Sequence, residues 1–253
     1  MGKPKSIKIA DGASVKESNI RSEFIKIFKN CPIPDNELLS NLGLFINRQT
    51  LAKILYMHEL YQKIINVQGI IMEFGVRWGQ NLALFESFRG IYEPYNYSRR
   101  IVGFDTFKGF PVTSVQDGNA DVIKVGAYSV TEGYEEYLKG ILNYHEQESP
   151  ISHIRKYEIV KGDAAITINQ YLKDNPETII ALAYFDFDIY TPTVKCLQAI
   201  KGYLTKGSIL GFDELNCHNF PGETLALKEI IGFDRYRIMR SPLNPYQSYI
   251  VIE

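Results

Sequence analysis

The chain is 253 residues long, 45% hydrophobic and 23% charged, which excludes a disordered or fibrous polypeptide. Lys and Arg number 28 against 29 Asp and Glu, a formal net charge of -1, so no summed positive field draws the chain to nucleic acid or anionic lipid. One α/β domain with added elements accounts for the length, and the expected partner is a small molecule.

Cys31, Cys196 and Cys217 are odd in number and lack zinc-type spacing, which points to a reducing, cytoplasmic setting. Residues 1–14 are polar, with neither a signal peptide nor a membrane span to be read in them. Met1-Gly2-Lys3-Pro4-Lys5-Ser6 fits a myristoylation pattern, one short enough to arise by chance.

In chain order, a short helix is predicted over 22–30, halted by Cys31-Pro32-Ile33-Pro34. From Thr50, apolar residues recur at Leu51, Ile54, Leu55, Tyr61, Ile64 and Ile65, the spacing of a helix ending near 66. His58 on that stripe reads as a packed histidine. Residues 69–75 are a continuous apolar run closed by an acid and a glycine, as in a strand buried on both faces. Helical spacing returns over 79–90, and 99–105 gives a second strand. A long Gly-, Pro- and Tyr-bearing segment follows, with a helix expected over 132–147.

Strands are then predicted over 157–163, 179–186 and 207–213, with helices over 166–172 and 193–204 between them. A helix over 224–231 precedes strands over 236–239 and 248–252. Their connection is too short for a parallel crossover, so this last pair is antiparallel. The alternation describes a doubly wound α/β sheet with one reversed strand.

In such a sheet the ligand lies beyond the carboxyl ends of the strands. Five acids stand there: Glu73, Asp105, Asp163, Asp186 and Asp213. Glu73-Phe74-Gly75-Val76-Arg77-Trp78-Gly79-Gln80-Asn81 lets the backbone turn sharply toward a ligand, yet it is neither a dinucleotide fingerprint nor a P-loop. Asp105 is placed to bond ribose hydroxyls, which suits a nucleoside cofactor without a pyrophosphate. Asp163, in Lys161-Gly162-Asp163-Ala164, either meets an adenine amino group or caps the next helix. Asp186, Asp188, Asp213 and Glu214 gather uncompensated negative charge, and such oxygen donors favour Mg²⁺. Bound Mg²⁺ lowers the pKa of a substrate hydroxyl. His218 is either a base or ordinary polar surface. Acids around Cys217 would raise its thiol pKa and blunt it as a nucleophile.

With these residues in view, the chain resembles the macrocin O-methyltransferase (TylF-type) family of S-adenosylmethionine-dependent enzymes, which act on sugar hydroxyls in natural-product and polysaccharide pathways. The resemblance rests on Leu42-Gly43-Leu44-Phe45-Ile46-Asn47-Arg48-Gln49, Met72 to Val76, Gly103-Phe104-Asp105-Thr106-Phe107-Lys108-Gly109-Phe110-Pro111, Phe185 to Tyr190 and Gly211-Phe212-Asp213-Glu214. It implies a class I methyltransferase fold, Rossmann-like, with N-terminal helices over 1–66 and a methyltransferase domain over 67–253. Residues 107–156 would be an acceptor-side insertion, and this insertion and the helix over 50–66 would cover the acceptor.

The resemblance further implies cofactor contacts at Glu73, Phe74, Gly75, Val76, Arg77, Gly79, Asn81, Asp105, Thr106, Gly162, Asp163, Ala164 and Asp186. Mg²⁺ would sit on Asp186, Asp213 and Glu214, and Asp186 or His218 would take the proton. Relatives usually carry two aspartates at the last two positions, and Glu214 departs from that by about 1.5 Å of reach. The acceptor would be a sugar, nucleotide-sugar or glycan. A catechol-type acceptor and a non-catalytic nucleoside-binding module are the alternatives, and a homo-oligomer stays open.

Overall fold

A computed structural model describes residues 13–253; the myristoylation-like pattern lies outside them. The sheet begins with β1 (Ile70–Phe74), buried along its whole length. Its neighbours are β2 (Ile101–Asp105) and β4 (Ile180–Phe185), both parallel to it. With β3 (Tyr157–Lys161), β5 (Leu204–Phe212), β6 (Met239–Arg240) and β7 (Ser248–Val251), the order is β3-β2-β1-β4-β5-β7-β6. Strand order reverses between β1 and β4, and β7 runs antiparallel to both β5 and β6. This is a class I methyltransferase sheet, doubly wound with a reversed strand near its edge.

Helices cover both faces because the strands are apolar on both. On one face α6 (Ala164–Asp174), α7 (Tyr190–Ile200) and α8 (Gly222–Ile230) pack on Met72, Phe74, Val102 and Leu210. On the other, α3 (Arg48–Ile64), α4 (Gln80–Tyr92) and α5 (Tyr134–Glu148) pack on Ile71, Ile101, Leu182 and Ile209. Alternate residues of each strand therefore serve opposite layers. Beneath the carboxyl ends, four phenylalanines in register form a stacked row: Phe104, Phe74, Phe185 and Phe212, with centroids 5.1, 4.9 and 5.2 Å apart.

Several boundaries differ from the sequence reading. The first helix, α1 (Val15–Lys29), starts earlier than expected because Ser14 and Glu17 form a reciprocal capping box. It is followed by the one-turn α2 (Asp35–Leu38). Helix α3 is capped by Asn47, whose side chain accepts the Thr50 N–H at 2.9 Å, so Thr50 is inside the helix rather than at its cap. Tyr56, Met57, Leu60, Tyr61 and Ile64 of α3 are fully buried, so this helix forms a layer of the core. His58 packs on Phe88 and shares a 2.6 Å hydrogen bond with Tyr92. In place of the predicted strand over 236–239 stands the two-residue β6, which overlaps it only at Met239.

The insertion also divides. Its latter part, α5, packs beside α4 and β3. Its earlier part lies over the strand ends, where Phe110, Val122 and Ala127 form a small apolar cluster with Ile189, Cys217 and Phe220. Asp117 fastens it: Oδ1 accepts the Tyr190 N–H at 2.6 Å, supplying from a distant segment the cap that Ile189 cannot give α7. Among the described residues, no helix is long and apolar enough to cross a membrane.

Candidate active site

A cavity of about 340 Å³ opens at the carboxyl ends of the strands, beside the β1/β4 reversal. Its cofactor-like side is built by the turn between β1 and α4. Gly75 has φ +96°, and a Cβ there would lie 2.1 Å from the Asp186 carbonyl oxygen. Only glycine allows the segments after β1 and β4 to approach this closely. Gly79, at φ 77°, then turns the chain into α4.

Gly75, Val76, Arg77, Gly79, Asn81, Asp105, Thr106, Gly162, Asp163, Ala164 and Asp186 all line the cavity. Glu73 and Phe74, expected with them, do not. Alternation along β1 turns Phe74 into the stacked row beneath the cavity. Glu73 is buried behind Asn81, whose Nδ2 donates to its Oε1 at 2.8 Å. Burial pushes the Glu73 carboxyl well above the usual carboxylate range. Glu73 Oε2 and Asn81 Oδ1 remain without partners.

Asp105 is held by two backbone donors, Arg77 N–H to Oδ2 at 2.8 Å and Phe107 N–H to Oδ1 at 2.5 Å. Burial raises its pKa, and these bonds partly offset the rise. Asp163 both faces the cavity and caps α6, accepting the Ala165 N–H at 3.0 Å. Arg77 and Tyr128 meet across the opening, guanidinium over ring at 4.7 Å. Arg77, Tyr128 and Asp188, three of the six non-glycine residues with positive φ among the described residues, line the cavity.

On the other side Asp186, Asp188, Asp213 and Glu214 line the cavity. Lys53, which sequence reasoning missed, reaches in from α3. Its Nζ lies 3.0 Å from Asp186 Oδ2 and 3.3 Å from Asp213 Oδ1, so the two carboxylates converge. Asp213 Oδ1 also accepts from Tyr184 O–H at 2.5 Å and Gln247 Nε2 at 2.8 Å. Burial alone would raise the Asp213 carboxyl, but Lys53 and these two donors hold it low. Asp186 shares Lys53 but neither of the other donors, and burial with the adjacent Asp213 charge lifts it to about 6. Burial lifts Glu214 to about 7, and its Oε2 is buried without a hydrogen bond. Asp188, crowded by acids as well as buried, stands well above its usual range.

A second residue the sequence did not signal is Glu223 of α8. Its Oε1 accepts the Phe187 and Asp188 N–H groups at 3.0 and 3.3 Å, and Oε2 accepts the Glu214 N–H at 3.2 Å. It thus ties together the two acid-bearing turns. His218 is exposed and does not line the cavity. Cys217 is pushed up to about 11 by burial and Glu214, which leaves it unreactive.

The acids are of the type that binds Mg²⁺, and the unpartnered Glu214 oxygen suits a further positive charge. As arranged around Lys53, however, no three His, Cys, Asp or Glu side chains among the described residues converge closely enough to hold a metal ion.

No protein-family profile matches the chain, and no curated protein matches it in sequence. Solved structures do. It is similar to the calicheamicin methyltransferase CalS11, with 42% identity, TM-score 0.93, and 99% of this chain and 98% of that one covered. The apo structure of CalS11, described as a TDP-rhamnose 3′-O-methyltransferase of calicheamicin biosynthesis, aligns at 41% identity and TM-score 0.84, covering 95% and 96%. The O-methyltransferase NovP, at 17% identity, TM-score 0.60 and 79% of each chain, shares the fold. The cavity at the strand reversal and near-complete alignment with CalS11 lead to one assignment: the chain is an S-adenosylmethionine-dependent methyltransferase and belongs to the sugar O-methyltransferase family that includes CalS11.

Proposed function

We propose that this enzyme methylates a hydroxyl of a sugar carried on a nucleotide, with Mg²⁺ bound at the acid cluster. The observation that carries the reading is the convergence of Asp186 and Asp213 on one point, within the cavity that the Gly75 turn enters. Similarity to CalS11 over nearly the whole chain supports a TDP-linked deoxysugar as the first acceptor to test. The setting we infer is a cytoplasmic natural-product or polysaccharide pathway, which the three free cysteines suit.

Asp105 accepts the ribose hydroxyls, its backbone anchors leaving lone pairs free. Gly162, Asp163 and Ala164 border the adenine. Asn81, with an unpartnered oxygen beside the turn, faces the methionine end and its ammonium. Asp186, Asp213 and Glu214 would hold Mg²⁺, whose chemistry is to orient vicinal acceptor oxygens and acidify one of them. Asp186 takes the hydroxyl proton, its carboxylate lying on the cavity wall where the acids meet. His218 is assigned no part. The methyl group is already activated on sulfur, so the protein's main contribution is alignment and exclusion of water.

The test is incubation of the purified protein with S-adenosylmethionine and a panel of TDP-deoxysugars, free sugars and catechols, followed by mass spectrometry. A gain of about 14 daltons on a TDP-sugar alone is expected, since methylation replaces the hydroxyl hydrogen by CH₃. Gain on catechols alone would replace this reading with the phenolic one.

A further inference from the structure

We propose that Lys53 is the resident counter-cation of the acid cluster, and that a divalent ion entering the site displaces its ammonium from between Asp186 and Asp213. The inference rests on the divalent site proposed above and concerns what occupies that site beforehand.

The geometry places Nζ where the two carboxylates meet, at 3.0 and 3.3 Å. A divalent ion sharing oxygens of Asp186, Asp213 and Glu214 at about 2.1 Å each would need that same space. Two cations held against the same oxygens would also repel strongly in a site this enclosed.

The surrounding groups show which donor can leave. Tyr184 is fully buried and Gln247 nearly so, and both donate to Asp213 Oδ1 from the sheet itself. Their positions are fixed by β4 and by the segment entering β7. Lys53 instead projects from α3, which is anchored by the buried residues Tyr56, Met57 and Leu60, and carries a flexible four-carbon stem. Its ammonium can swing away while the helix stays in place.

Charge makes the exchange favourable. Asp186, Asp188, Asp213, Glu214 and Glu223 face one another here, and the cations near them are Lys53 and Arg77. Arg77 already lies over Tyr128. One ammonium keeps the carboxylate pair together in the metal-free protein, and a dication neutralises the cluster more fully. Lys53 therefore lowers apparent metal affinity while supporting the metal-free fold, so the site fills only when the ion is abundant enough to compete.

The experiment uses Mn²⁺ alone with the full chain. Free Mn²⁺ is followed by electron paramagnetic resonance, and melting is recorded in EDTA and in Mn²⁺, for wild type, Lys53→Met and Lys53→Gln. Both variants should melt below wild type in EDTA, bind Mn²⁺ at least tenfold more tightly and gain more in melting temperature on adding it. Lys53→Gln keeps a hydrogen-bond donor and serves if Lys53→Met fails to fold. Equal or weaker Mn²⁺ binding by the variants, with wild type binding normally, overturns the displacement. No Mn²⁺ binding by any of the three overturns the divalent site itself and the displacement with it.

Discussion

Glu223 and Phe187 are 36 residues apart in the chain, yet Glu223 Oε1 accepts the Phe187 backbone N–H at 3.0 Å. With Asp188 on the same oxygen and Glu214 on the other, one buried side chain sets the separation of the turns after β4 and β5. Glu223→Ala leaves three N–H groups without their acceptor, at roughly 1 to 3 kcal/mol for each that water cannot reach. The expected outcome is a lower denaturation midpoint and a fall in kcat larger than any rise in the KM for S-adenosylmethionine. Glu223→Gln, which keeps one acceptor oxygen, should lie between. Wild-type kinetics in the alanine variant would show the tie to be dispensable.

Asp186→Asn removes the proposed base while preserving shape. Turnover should drop by about 10²-fold or more, as for loss of a general base, with S-adenosylmethionine binding within a few-fold of wild type. Calorimetric titration of the cofactor beside an acceptor assay separates the two effects. An unfolded variant would mark Asp186 as structural instead.

Acid titration gives a sign that can be checked in EDTA. Asp186 and Glu214 are raised to about 6 and about 7 in the folded protein, above the values near 4 of an unfolded chain. The folded state then binds more protons across this window, so stability falls as pH rises from about 4.5 to 7.5. Each tenfold difference in proton affinity between the folded and unfolded chain is worth roughly 1.4 kcal/mol. Asp213, held low, has the opposite sign, but its contribution is lost only at more acidic pH. Melting temperatures across this range should decline, and the decline should flatten in the Glu214→Gln variant. A rising profile would contradict the assignment.

Arg89 joins α4 to α5 away from the cavity. Its Nη2 meets Glu86 at 2.7 Å and Glu146 at 3.3 Å, all three side chains being buried, and Lys156 also pairs with Glu146. Arg89→Met strands the Glu86 carboxylate in the interior, leaves Glu146 to Lys156 alone, and should cost about 3 to 5 kcal/mol. Urea denaturation measures this. Cofactor affinity of the folded fraction should be unchanged, because none of the four residues lines the cavity.

The sheet was legible because β1, β2, β4 and β5 are apolar runs that end at or beside an acid, a pattern carried by adjacent residues. The Gly75 turn and the acids at 105, 163, 186, 213 and 214 followed for the same reason. Lys53 and Glu223 were not legible. Lys53 meets Asp186 across 133 positions, and on its own helix it reads as an ordinary charge beside an apolar stripe. Glu223 reads as an acid in the first turn of a helix, where the dipole alone explains it. His218, only four residues beyond Glu214 in sequence, is carried to the exposed side of its loop, outside the cavity lining. Strand alternation, which sends every second residue to the opposite layer, turns Phe74 into the stacked row beneath the cavity.

The stacked phenylalanines have a reach beyond the core they fill. Phe74, Phe104, Phe185 and Phe212 are each followed directly by a cavity residue: Gly75, Asp105, Asp186 and Asp213. The ring-to-ring interval across the strands is therefore also the interval at which the Gly75 turn, Asp105 and the paired carboxylates are set out, a ruler made of aromatic rings. Loops above it can lengthen or change sequence to admit a different sugar, while the graduations beneath stay where they are.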